Sequence, residues 1–147
     1  MSSFRSAFLG SGIATFVVTS IMAEKTAMGL IPQFSIAKGW SALVGMPETA
    51  WVGWVIHMFL GFIIGGAIFG TIYNKLPTSH GVLKGIAFGI ASWILMMLIF
   101  MPLAGAGLFA LHAGARFILF TLVLGLLYGL VLGAIYTWDS RPLAAKT

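Results

Sequence analysis

Four apolar runs, residues 6–23, 51–73, 85–109 and 117–137, contain no Asp, Glu, Lys or Arg. Crossing roughly 30 Å of hydrocarbon takes about 20 helical residues at a rise of 1.5 Å each, and every run meets or approaches that length. The expected fold is therefore all-α. It is a polytopic membrane protein, a bundle of four transmembrane helices over residues 6–23, 51–73, 85–105 and 117–137, in one membrane domain covering residues 1–147. Its first partner is the lipid bilayer.

Composition argues the same way. Of 147 residues 60% are hydrophobic and 7% charged, and a soluble domain of this size could not hide so much apolar surface. The net charge of +5 does not point to nucleic acid, because the eight Lys and Arg are scattered singly, without a cluster. Their use is orientation, since Lys and Arg near span ends favour the cytoplasmic side. In a four-span chain Arg5, Lys75, Lys84, Arg141 and Lys146 fall on one side, against Lys25, Lys38 and Arg116 on the other. This predicts a multi-pass protein of the cell's inner (cytoplasmic) membrane with both termini in the cytoplasm. Arg5 ahead of an apolar core resembles a signal peptide, but Ile21 and Ala23 make a poor cleavage site, so the run reads as a retained helix.

The connection between spans one and two is too apolar for a solvated loop. It reads as a segment lying in the membrane interface at about residues 30–47, with a short helix over 35–44, Trp40 at headgroup depth and Lys38 reaching to water. Residues 74–84, NKLPTSHGVLK, make a short polar turn that includes His80. After span three, Pro102 breaks the helix and Gly105 and Gly107 loosen it, while the chain stays apolar up to His112. That stretch is expected to remain partly in the membrane, packed on protein.

An internal repeat runs through the chain. Gly66, Gly70 and Tyr73 spell GxxxGxxY, and so do Gly129, Gly133 and Tyr136; Gly12-Ile-Ala-Thr15 is echoed by Gly89-Ile-Ala-Ser92. Two similar helical hairpins in one membrane orientation follow. Small-xxx-small faces let helix backbones approach in lipid. Gly61 with Gly65, Gly66 with Gly70, and Gly125 with Gly129 and Gly133 are the packing candidates, and the three-glycine face of span four is the one expected to meet a partner. Tyr73 and Tyr136, at the span ends, read as interface belts.

The residues able to carry chemistry are few. No cysteine is present, and neither paired carboxylates nor HExxH, GxSxG or phosphate-loop patterns occur, so hydrolysis and metal-assisted catalysis are not expected. No metal site is expected. His57 lies six residues inside Trp51, where an ionisable group is costly and needs a partner: a backbone carbonyl, a hydroxyl or a cofactor. Gly61 lies about 40° from it around a helix, which makes a notch for a neighbouring helix or a flat cofactor. His112 and Arg116 are one turn apart on the same side of the membrane. His57, His112 and Arg116 are thus the cofactor candidates. The first expectation is no cofactor; the alternative is a bis-histidine haem b, or a quinone held by His and Arg donors.

The order Trp54-Val-Ile-His57-Met-Phe-Leu-Gly61, Lys84-Gly85, Phe88-Gly89, Met101-Pro102-Leu-Ala-Gly105-Ala-Gly107-Leu-Phe109 and Tyr128-Gly129-Leu-Val-Leu-Gly133 resembles an uncharacterised family of small prokaryotic four-helix membrane proteins, known as a domain of unknown function. The resemblance covers most of the chain and implies the topology but no activity. It also implies a second histidine shortly before the Tyr-Gly of the last span, where this chain has Leu124, Gly125 and Leu126.

The function expected from these observations is association rather than catalysis. The chain reads as an accessory or scaffolding subunit of a membrane complex, such as a respiratory one, contacting other membrane subunits or itself as a homo-oligomer through its glycine faces. The alternatives are a haem b or quinone-binding electron-transfer protein and a small oligomeric channel or transporter.

Overall fold

The computed structural model of the chain describes residues 2–29 and 35–144. Four helices are long and apolar enough to cross a membrane, and the described residues hold no strand. They are α1, Ser2–Ala27; α3, Ala50–Lys75; α4, Gly81–Leu103; and α5, Ala115–Ala144. A short helix α2, Ile36–Leu43, lies between α1 and α3. The protein is an all-helical membrane protein. Leu30, Ile31, Pro32 and Phe34 of the expected interfacial segment, and Lys146 of the charge pattern, lie outside the described residues.

Helix α1 packs against both α3 and α5, and α5 packs in turn against α4, whereas α3 and α4 share no packed backbone seam. Both chain ends meet at one face of the bundle. Ser6 Oγ donates to Asp139 Oδ2 at 2.7 Å, and Arg5 stands 3.5 Å from Oδ1. We call this the termini end and the opposite one the far end.

The glycine steps set how closely these helices approach. A methyl group on Gly85 would fall on the carbonyl oxygen of Gly129, and one on Gly89 would fall on that of Gly125. Methyl groups on Gly66 and Gly70 would meet Ser11 and Phe8, and Phe4 and Ala7, of α1. The two GxxxGxxY motifs therefore do equivalent work, each seating its helix on the preceding helix of its own hairpin. Gly125, Gly129 and Gly133, expected to meet a partner, are covered instead by α4. The reason is that α4 carries its own complementary glycines at Gly81, Gly85 and Gly89.

Two apolar clusters form the core. Ala7, Ala14, Phe69, Phe88, Leu132 and Tyr136 fill the termini end. Met97, Phe100, Met101, Ala110, Ala113 and Phe117 fill the far end with Val18, Met22 and Ile36. Tyr73 and Tyr136 do not form an outward belt: their rings stack at 4.0 Å between centroids, and Phe69 meets Tyr136 edge-on at 5.4 Å. Lys84 explains the inward turn. Its Nζ donates to the carbonyl of Tyr73 at 2.8 Å and lies 4.2 Å from the centre of that ring. A cation thus closes the C-terminal end of α3, where unpaired carbonyls concentrate negative potential.

Both α3 and α4 widen into a π-helical stretch, at Leu60–Ile64 and Met96–Phe100. In α4 the cause is Pro102, which has no N–H to offer the carbonyl of Leu98. Beyond it the chain turns through Gly105 and Gly107, then through Phe109 and Ala110, at φ 54° and 57°. Such values are uncommon for residues with a Cβ. Here Ala110 is fully buried and Phe109 meets Trp93 edge-on at 5.9 Å, so packing holds the turn. Ala106, Ala110 and Ala113 of this stretch pack on protein, while Leu103, Leu108 and Leu111 are exposed.

Helix α2 closes the far end. Ser35 caps it, accepting from the N–H of Lys38 at 3.4 Å. Ser41 Oγ donates to Thr49 O and accepts from Gly53 N, both at 2.8 Å, and Ala37 lies where a side chain at Gly53 would need to be. Lys38 is exposed, but Trp40 turns inward and stacks on Phe100 at 3.8 Å instead of resting among headgroups. Helix α2 therefore bridges from α3 to α4.

Candidate functional site

Span α1 carries Ser11, Thr15 and Thr19 at four-residue spacing, which places their hydroxyls in one column along the helix. The column faces α3. Ser11 Oγ donates to Phe62 O at 2.8 Å, Thr15 lies in the gap left by Gly61, and Thr19 Oγ1 stands 3.1 Å from Nδ1 of His57. The cost of an imidazole inside the span is met by a hydroxyl on the neighbouring helix. From the other side Tyr128 of α5 donates to Gly61 O at 3.0 Å, with its oxygen above Gly65. The π-helical stretch at Leu60–Ile64 explains these bonds, because i to i+5 pairing loosens the carbonyls of a helix and side-chain hydroxyls can take them.

Between the two core clusters lies a cavity of about 130 Å³. Thr15, Val18 and Met22 of α1 line it, with Ile36 of α2, His57 and Gly61 of α3, Gly89, Ser92, Trp93 and Met96 of α4, and Thr121, Leu124, Gly125 and Tyr128 of α5. In the register that aligns the two GxxxGxxY motifs, Gly61 corresponds to Leu124 and Gly65 to Tyr128, and in the one that aligns Gly12-Ile-Ala-Thr15 with Gly89-Ile-Ala-Ser92, Thr15 corresponds to Ser92. The cavity thus sits where the two hairpins face one another. The aromatic layer of Phe69, Tyr73, Phe88 and Tyr136 lies on its termini side and α2 on its far side. Both α3 and α4, which share no packed backbone seam, contribute to its lining.

Most polar groups in the lining are already engaged. Thr15 donates to Ser11 O at 2.7 Å. Trp93 Nε1 donates to Thr121 Oγ1 at 3.1 Å, and Thr121 donates onward to the carbonyls of its own helix. Among the described residues no Asp, Glu, Lys or Arg lines the cavity.

Of the three cofactor candidates only His57 lines it. His112 belongs to the 3-10 stretch Leu108–Ala113, where its ring packs on Gly107, and both it and Arg116 are exposed. The structure does not bring the three into one site. A bis-histidine haem does not fit: His112 is outside the cavity, and the volume suits a single benzene-sized ring. The described residues contain no group of three or more His, Cys, Asp and Glu able to hold a metal ion.

Residues 1–144 match the model of the Family of unknown function (DUF6789). The chain belongs to that family. Searches of the curated proteins and of the solved structures each found no match. For this family member the cavity is therefore read from its own chemistry. Sequence reasoning singled out His57 but missed Thr19, Tyr128 and Ser92. The first was legible as the last step of the Ser11, Thr15, Thr19 column. Tyr128 and Ser92 needed the bundle's packing, since a hydroxyl in a span faces lipid or protein depending on which neighbour covers it.

Proposed function

We propose that this family member binds a small lipid-soluble molecule within the membrane, in the cavity between α3 and α4. The observation that carries the reading is the lining: apolar walls with a few placed polar groups, His57 among them, which is the usual make-up of a small-molecule site. The test is photolabelling of the reconstituted protein with an apolar diazirine. Label concentrated on the peptides carrying Ser92 to Met96 and Leu124 to Tyr128, and reduced by the cavity-filling variant Ser92→Leu, is expected. Even labelling of all lipid-facing helix surfaces, unchanged in that variant, would overturn the proposal.

The scaffold reading rested on the glycine faces, and those faces pack against this chain's own helices. A subunit role would need another surface. The channel reading has the aromatic layer standing between the cavity and the termini end.

The orientation proposed is termini end in the cytoplasm, in the cell's inner membrane, supported by the sequence count of Arg5, Lys75, Lys84, Arg141 and Lys146 against Lys25, Lys38 and Arg116. The absence of native cysteine makes single-cysteine labelling clean. Cysteine at Ser79 should react only after the cytoplasmic face is opened, and cysteine at Met46 in intact cells. The reverse pattern would invert the assignment.

A further inference from the structure

Resting on the cavity reading above, we infer that the ligand is a ring with two carbonyl oxygens, a lipid-soluble quinone, held by donors from His57 and Ser92. Three observations lead there. The first is charge. With no charged side chain among the described residues of the lining, a fatty acid, a phosphate or an ammonium would enter without a counter-ion, so the ligand is neutral.

The second is the direction of the protons. Thr15, Ser20 and Thr26 of α1 each donate to the carbonyl four residues back, whereas Thr19 faces His57 Nδ1 at 3.1 Å. The direction of that contact depends on the tautomer; we take Thr19 as the donor, since none of the described hydrogen bonds carries its proton to a carbonyl, and this puts the imidazole proton on Nε2. His57 then presents an N–H donor. Ser92, half-buried on α4, has a hydroxyl engaged by none of the described hydrogen bonds. The remaining donors of the lining are committed to protein acceptors. The Nε2–H of His57 can only donate and the Ser92 hydroxyl can donate as well, which suits acceptor oxygens on the ligand.

The third is size: about 130 Å³ takes one six-membered ring. His57 and Ser92 come from α3 and α4, the two helices that share no packed backbone seam. A ring between them has one oxygen toward each helix, while its substituents and isoprenoid-type tail leave sideways into lipid. The inference concerns binding only, and assigns no electron transfer.

The experiment uses the full chain in phosphatidylcholine nanodiscs. Decylbenzoquinone, decylbenzene and decylhydroquinone compete with the apolar diazirine for the cavity. Decylbenzoquinone should displace the probe at about tenfold lower concentration than decylbenzene, the equivalent of one good hydrogen bond. The hydroquinone, whose oxygens bear protons, should be weaker than the quinone. His57→Phe and Ser92→Ala should each remove most of the quinone's advantage and leave decylbenzene unchanged, while His57→Gln, which keeps an N–H, retains part of it. Thr19→Val, which frees the imidazole to change tautomer, should weaken the quinone and narrow its lead over the hydroquinone. Equal displacement by quinone and decylbenzene in the wild-type protein would overturn the quinone assignment and leave the cavity reading standing. Displacement by neither, with label spread over the lipid-facing surface, would remove both.

Discussion

Tyr128 of α5 donates its hydroxyl to the carbonyl of Gly61 on α3, at 3.0 Å, across a bundle in which those two helices share no packed backbone seam. The bond is possible because Gly65, one turn on, has no side chain: a methyl group there would stand 2.6 Å from the Tyr128 oxygen. A glycine and a π-helical stretch therefore make room for a tyrosine that ties the two hairpins together beside the cavity.

Tyr128→Phe should keep the ring and lose the bond. Interhelical hydrogen bonds in membranes average about 0.6 kcal/mol and reach about 1.7, and here an i to i+5 carbonyl is left without its partner. A loss of about 1 kcal/mol, or about 2–4 °C in Tm for a chain near this size, is expected from thermal unfolding in mild detergent. An unchanged Tm would mean that water or another hydroxyl takes over at Gly61.

Lys84 offers a sharper contrast, because charge counting treats it as one more topogenic lysine. It is 9% exposed and its ammonium sits on the last turn of α3. Lys84→Met should cost about 1–2 kcal/mol, combining the lost contact with the helix end and the lost contact with the Tyr73 ring. Exposed Lys75→Met should change stability by less than about 0.5 kcal/mol. Parallel unfolding curves check the difference, and equal effects would refute the capping role.

What was legible in the sequence follows from the solvent. Four uncharged runs fix four helices because lipid offers the backbone no partner outside a helix. The GxxxGxxY repeat likewise announced two equivalent hairpins, and Tyr73 stacked on Tyr136 shows the motifs meeting. Facing was not legible. In water a helix shows its buried side by polarity, but in lipid Phe16, 64% exposed, and Phe69, fully buried, are the same residue type. Hence Tyr73, Tyr136 and Trp40 read as interface anchors, whereas Tyr136 is buried and Tyr73 and Trp40 pack against the core, and His57 could be located without its partner Thr19.

At the termini end two contacts to one carboxylate should separate by burial. Arg5 is 79% exposed beside Asp139, and such pairs contribute little, so Arg5→Ala should shift stability by less than about 0.5 kcal/mol. Ser6 is fully buried and donates to the same carboxylate at 2.7 Å. Asp139→Ala should therefore cost more than Arg5→Ala, by about 1 kcal/mol, as a buried hydroxyl loses a charged acceptor. A double-mutant cycle with Ser6→Ala measures the coupling directly. Additive effects would show that the Ser6 bond contributes nothing.

The glycine seam between α4 and α5 decides between internal packing and partner binding. At Gly85 and Gly129 an added methyl group meets backbone of the facing helix, which cannot move aside as a flexible side chain would. Gly85→Ala and Gly129→Ala must therefore push the helices apart along the whole seam, forfeiting contacts well beyond the substituted residue. Each should lower Tm by more than Tyr128→Phe does, and the pair should be strongly non-additive, because once the helices have separated the second methyl group meets less. Gly105→Ala is the control: its φ of +82° carries a backbone cost near 1 kcal/mol, but nothing lies within 4 Å of the new methyl. If Gly129→Ala left Tm unchanged and instead abolished co-purification of another membrane protein, the face would be a docking surface and the packing account of α5 would fail.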